Sequence, residues 1–127
     1  MKKAAFVVAL ALIAGSAMAR SADIYEPPVV VVNTEEASTT QMRGSIVDAA
    51  QSLGWVVSKD EPGQLELHFD KQGKHQVNIA VAYDAKSYKI SYLTSSNLNF
   101  SDDNGLKKIH PDYNRWIKNL MKRIQDR

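Results

Sequence analysis

The chain has 127 residues, no cysteine, and 16 Lys or Arg against 14 Asp or Glu. That length suits one buried core, and the missing thiols exclude a disulfide scaffold, a thiolate metal site and a cysteine nucleophile. A formal charge of +2 is far from the excess that marks a nucleic-acid binder.

The first nineteen residues read as an export signal. Lys2 and Lys3 form a basic head, Ala4 to Ala14 is an unbroken apolar run, and Ala17-Met18-Ala19 places small residues just before Arg20. The run is shorter than the roughly 20 apolar residues that span a bilayer. The expected mature chain therefore starts at Arg20, in the periplasm, with no transmembrane segment. Leu12-Ile13-Ala14-Gly15 is similar to a lipoprotein box, but Ser16 stands where the acylated cysteine would be, so no lipid anchor is expected. Loss of Lys2 and Lys3 leaves 16 − 2 = 14 basic against 14 acidic side chains. The balance is uneven: Arg20 to Leu106 holds seven basic and twelve acidic residues, Lys107 to Arg127 seven and two. Such a split can steer a domain towards anionic lipid head groups, glycan polymers or an acidic partner, although a solvated basic helix face would look the same.

Residues 20–28, with the Pro27-Pro28 pair, read as an exposed leader, since consecutive prolines cannot join a helix. Residues 29–127 read as one domain. It opens on a buried strand, Val29 to Val32, whose β-branched side chains fit a pleated surface. Ser38, with Gln41 three residues on, predicts a helix start in capping-box spacing. Met42, Ile46, Ala49, Ala50 and Leu53 then recur on one helical face, and Gly54 stops the helix with Trp55 folding back on it.

From Trp55 the apolar period becomes two. A short strand to Lys59 is followed by a turn at Asp60-Glu61-Pro62-Gly63. Leu65, Leu67 and Phe69 form one inward row, Val77, Ile79, Val81 and Tyr83 the next, and Tyr88, Ile90 and Tyr92 the last, with turns at Gln72-Gly73 and at Asp84 to Ser87. Ser95 to Gly105 reads as an irregular loop pinned by Leu98 and Phe100. Pro111 suits the first turn of a final helix, capped by His110 or Asp112. Its stripe, Tyr113, Trp116, Ile117, Leu120, Met121 and Ile124, is the strongest periodic signal in the chain. Helices and a one-sided meander can bury their apolar faces only on one another. The predicted fold is α+β, an antiparallel meander with two amphipathic helices on one face, in the order β-α-β-β-β-β-α.

No constellation in this chain carries catalysis. His68, His75 and His110 lack zinc spacing, no Gly-x-Ser-x-Gly elbow occurs, and the adjacent carboxylates Glu35-Glu36 and Asp102-Asp103 diverge into water. The glycines are scattered, so no phosphate-cradling loop is formed. The reading is no catalytic site, no metal and no cofactor.

The stretches AKSYKISYLTSSNLNF (85–100) and IHPDYNRWIKNL (109–120), together with the Ser52-Leu53-Gly54-Trp55 corner, resemble a signature of small proteobacterial envelope proteins and lipoproteins. In that family a Tyr-rich strand, a Ser-x-Asn-Leu loop and an Ile-His-x-x-Tyr-Asn-x-Trp-Ile helix start occur together. The resemblance implies an envelope protein and brings no activity with it; Ser16 departs from the lipoprotein members.

These readings lead to a non-enzymatic periplasmic domain that binds an envelope protein or polymer through its exposed sheet face or its basic helix edge, with no nucleic-acid partner. The alternative is a small-molecule or glycan binder with a pocket between the 95–105 loop and the final helix. An enzyme of undescribed type is a third reading, and it would need convergent polar groups in a cleft. The candidate binding residues are Tyr92, Asn97, Asn99, His110, Asn114, Arg115, Lys118 and Lys122.

Overall fold

The structure, a computed structural model, describes residues 21–126. The export signal read at residues 1–19 lies outside them. The described residues form two helices and eight strands, in the order β1 (Ala22–Asp23), β2 (Val30–Val31), α1 (Thr39–Ser52), β3 (Val56–Glu61), β4 (Gln64–Lys71), β5 (His75–Tyr83), β6 (Ser87–Ser96), β7 (Ser101–Asp103), β8 (Leu106–Ile109) and α2 (Pro111–Gln125). Strands β3 to β6 form the expected antiparallel meander, and β2 joins its β6 edge, giving the order β2-β6-β5-β4-β3.

The α+β architecture follows from the two apolar periods. Leu65 and Leu67 of β4, Val77, Ile79 and Val81 of β5, and Tyr88 and Ile90 of β6 are all buried on one face of the sheet. They share a single core with Met42, Ile46, Ala49 and Ala50 of α1 and with Tyr113, Trp116, Ile117, Leu120 and Ile124 of α2. The opposite face stays polar: His68 Nδ1 lies 2.8 Å from Asn78 Oδ1, and Asn78 Nδ2 donates to Thr94 Oγ1 at 2.9 Å, a ladder across three strands.

The helix ends behave as their sequences require. Ser38 Oγ accepts from the Gln41 N–H at 3.0 Å. At the other end Trp55 N–H reaches Ala50 O at 2.9 Å and Gly54 N–H reaches Gln51 O at 3.1 Å, the bond pair of a Schellman stop. Gly54 has φ 96°, and a Cβ there would come within 3.3 Å of the Phe69 ring, so both backbone and space call for glycine.

Three expectations are corrected. The segment read as an exposed leader is strapped to the body: Ala22 pairs with Ile109 and Asp23 with Lys108, Pro27 is buried, and Pro27 O accepts from Lys89 Nζ at 3.0 Å. Prolines bar a helix, but an extended chain can still dock along a sheet edge. The Val29 to Val32 strand shrinks to two residues at the sheet edge, with Val31 74% exposed, because only alternate side chains of an edge strand face the core. The loop at 95–105 is largely ordered: β6 runs on to Ser96, and β7 and β8 form a hairpin that makes a second sheet, β1-β8-β7. Its turn is Asn104-Gly105, φ 53° and 89°, the pair that a two-residue hairpin favours.

Trp116 packs edge-on against Phe69 at 4.9 Å, and Phe69 lies 5.1 Å from Trp55. Trp116→Ala is expected to lower stability by about 3 to 5 kcal/mol in denaturant unfolding, as loss of a large buried side chain does. A midpoint equal to wild type would place that ring outside the core.

The β5–β6 turn carries a pH signature. Hydrogen bonds to Asp84 from the Lys86 N–H (2.8 Å) and from the Ser87 hydroxyl and N–H hold its carboxyl below its ordinary value. A lowered carboxylate stabilises the fold above the ordinary carboxylate range, and this contribution is lost as pH falls through the lowered value. Asp84→Asn is therefore expected to show a shallower loss of melting temperature below about pH 4 than wild type. Identical acid limbs would contradict the assignment.

Candidate binding cleft

The corner between the end of β6, β8 and the start of α2 gathers Tyr92, Asn97, Leu98, His110, Tyr113 and Asn114, and it is tied together from within. Tyr92 stacks on Phe100 at 4.4 Å, meets Tyr113 edge-on at 5.7 Å, and its hydroxyl lies 2.7 Å from Ser95 Oγ. A bulge in β6 opposite Asn78 and Ile79 makes this possible, because it returns Ser95 to the same face as Tyr92. Burial pushes the Tyr92 phenol upward, opposed by Ser95, and burial with the nearby Tyr92 and Glu26 pushes Tyr113 upward too.

Asn97, in the left-handed region at φ 62°, donates to Lys74 O at 2.7 Å, while its own carbonyl lies 2.8 Å from His75 Nδ1. The His110 N–H donates to Leu98 O at 2.7 Å, and its ring Nδ1 accepts the Asp112 N–H at 3.0 Å, which caps α2. His75 and His110 come within 6.1 Å, a proximity the sequence spacing did not suggest. Among the described residues no three His, Cys, Asp or Glu converge as a metal site.

Asn114 is a clamp. Its Oδ1 accepts from the Tyr25 N–H at 2.8 Å and its Nδ2 donates to Asp23 O at 2.9 Å, so both ends of one amide hold the N-terminal strap. Arg115 pairs with Asp112 at 2.8 Å and borders a small hollow of about 240 Å³ beside Trp55, Phe69 and Trp116. Asn99 is exposed, with φ 56°. Five of the eight candidates, Tyr92, Asn97, His110, Asn114 and Arg115, thus have their polar atoms engaged by the protein itself.

Lys118 and Lys122 differ. They line a cleft of about 780 Å³ on the other side of α2, between that helix, α1 and the chain from Val30 to Ser38. Each helix gives one face to it: Ser38, Gln41, Met42 and Ser45 fall at i, i+3, i+4 and i+7, and so do Lys118, Met121, Lys122 and Gln125. Tyr88, Met42 and Ile124 are the most buried of its lining. Lys118 Nζ sits 5.2 Å from the centre of the Tyr25 ring, a cation–π contact that orients it.

Among the described residues the basic tail is only partly neutralised. Lys108 pairs with Asp23 at 3.1 Å and Arg115 with Asp112, while Arg123 donates to the uncharged Ser52 Oγ at 2.7 Å. Among the described residues, neither Lys118 nor Lys122 has a carboxylate within ion-pair distance. Sequence reasoning reached these lysines through charge but missed the cleft. A second stripe, 118, 121, 122 and 125, beside the apolar one was the available signal.

No family model matches the chain, and no curated protein matches it. Among the described residues no helix is long and apolar enough to cross a membrane.

Asn114→Ala removes two hydrogen bonds and is expected to cost about 1 to 3 kcal/mol, at roughly 0.5 to 1.5 kcal/mol each. Hydrogen exchange should show the amides of Ile24 and Tyr25 opening ahead of the core in the variant. Unchanged protection of both would show that the strap is held by something else.

Proposed function

We propose that this protein is an exported, non-enzymatic binding domain of the cell envelope that holds its ligand in the cleft between α1, the Val30–Ser38 segment and α2. The carrying observation is the pairing of that cleft with two lysines that, among the described residues, have no carboxylate within ion-pair distance, at a volume typical of ligand sites, about 300 to 1,000 Å³. The export pattern at residues 1–19 and the likeness to envelope proteins support the location. The internal bonding of Tyr92, Asn97, His110 and Asn114 favours a locking role for that corner and supports a binding site at the far edge of α2 instead.

The test is a cleft-filling variant, Ser45→Trp, purified alongside wild type from the periplasm, with bound small molecules extracted under denaturing conditions and identified by mass spectrometry. A species recovered with wild type and strongly depleted from Ser45→Trp, at matched melting temperature, is the expected result. The same profile from both proteins would contradict the reading.

A further inference from the structure

We infer that the cleft takes a single-chain anionic amphiphile, with a long-chain carboxylate as the simplest member of the class. This rests on the cleft being the binding site and names what enters it. The lining divides by chemistry: Val30, Val32 and Met121 contribute partly exposed apolar side chains over the nearly buried Met42, Tyr88 and Ile124, while Lys118 and Lys122 supply charge from α2. An alkyl chain gains from leaving water against such a surface, at roughly 25 cal/mol per Å². Two methionines suit a flexible chain, because an unbranched thioether side chain adapts to the shape beside it.

The charged edge fixes the head group. Lys118 and Lys122 are one helical turn apart, near enough for a single carboxylate to lie between their ammonium groups. The start of α1 adds the same sign, since its first turn carries no acidic residue and its Ser38 and Gln41 line the cleft. Among the described residues of the lining, two ammonium groups stand against one carboxylate, that of Glu36. A glycan fits less well: sugars stack on open aromatic faces, whereas Tyr88 is nearly buried and the Tyr25 ring is covered by Lys118.

Calorimetric titration of the mature chain separates the parts, using laurate, acetate as the head alone, and dodecyl maltoside as the chain with a neutral head, each below its micellar concentration. Laurate is expected to bind saturably with one-to-one stoichiometry, and acetate and dodecyl maltoside at least about tenfold more weakly. The double variant Lys118→Gln, Lys122→Gln is expected to bind laurate no better than dodecyl maltoside while keeping the wild-type melting temperature. Equal affinity of wild type for laurate and dodecyl maltoside, or full laurate affinity in the double variant, would overturn the proposal. Ser45→Trp distinguishes the two levels. If it loses a co-purified ligand while wild type ignores laurate, the cleft stands and the amphiphile falls; if it binds laurate as wild type does, the cleft itself is wrong.

Discussion

Burial of the α2 stripe is the constraint on which the rest of this protein depends. Tyr113, Trp116, Ile117, Leu120 and Ile124 cover the inner face of a sheet whose other face is polar, and α1 packs beside them into the same core. A one-sided meander without this cover would expose Leu67, Ile79 and Val81 to water. Everything that approaches α2 from outside the core is therefore held at a defined height and angle: the strap through Asn114, the corner through His110, and the cleft through Lys118 and Lys122.

The division of labour around the helix follows from its period. The buried stripe uses one arc, Asn114 projects to the N-terminal strap, and the next arc, Lys118, Met121, Lys122 and Gln125, turns towards the facing stripe of α1. Because the buried arc is locked by packing, the backbone of the exposed arc is preorganised, and Lys118 is further oriented by the Tyr25 ring. A ligand entering there would not have to order the lysine-bearing backbone, which removes part of the entropic cost of binding. The basic tail, read from sequence as a single block, divides in the structure: Lys108 and Arg115 are paired within the protein, Lys118 and Lys122 line the cleft, and Arg123 bridges to α1 through Ser52.

Local signals were legible and non-local ones were not. Ser38, Gly54 and Pro111 mark helix ends by chemistry that acts within a turn, and the alternation of Leu65, Leu67, Val77, Ile79 and Val81 is a property of the pleat, so the α+β order could be read directly. The β7–β8 hairpin was hidden by its composition: Ser, Asn and Asp suggest a loop, but Asn104-Gly105 is turn chemistry that supports two short strands. The strap escaped because β1 finds its partner at Lys108 and Ile109, far along the chain, and because Asn114 recognises backbone atoms, which leave no mark on side-chain identity. Each helical wall of the cleft is marked in the sequence by a second stripe beside the apolar one. That the two walls face one another depends on how α1 packs against α2, and no pattern within either helix encodes it.

Native-state hydrogen exchange across a denaturant series tests the shared interior most directly. The amides of Ile117 and Leu120 in α2, of Ile46 and Ala49 in α1, and of Ile79 and Val81 in β5 are expected to converge on one opening free energy, equal to that of global unfolding. If the α2 amides open well below the β5 amides and at a separate denaturant dependence, the helix is a loosely docked appendage, and neither the cleft nor its charged edge has the fixed geometry described above.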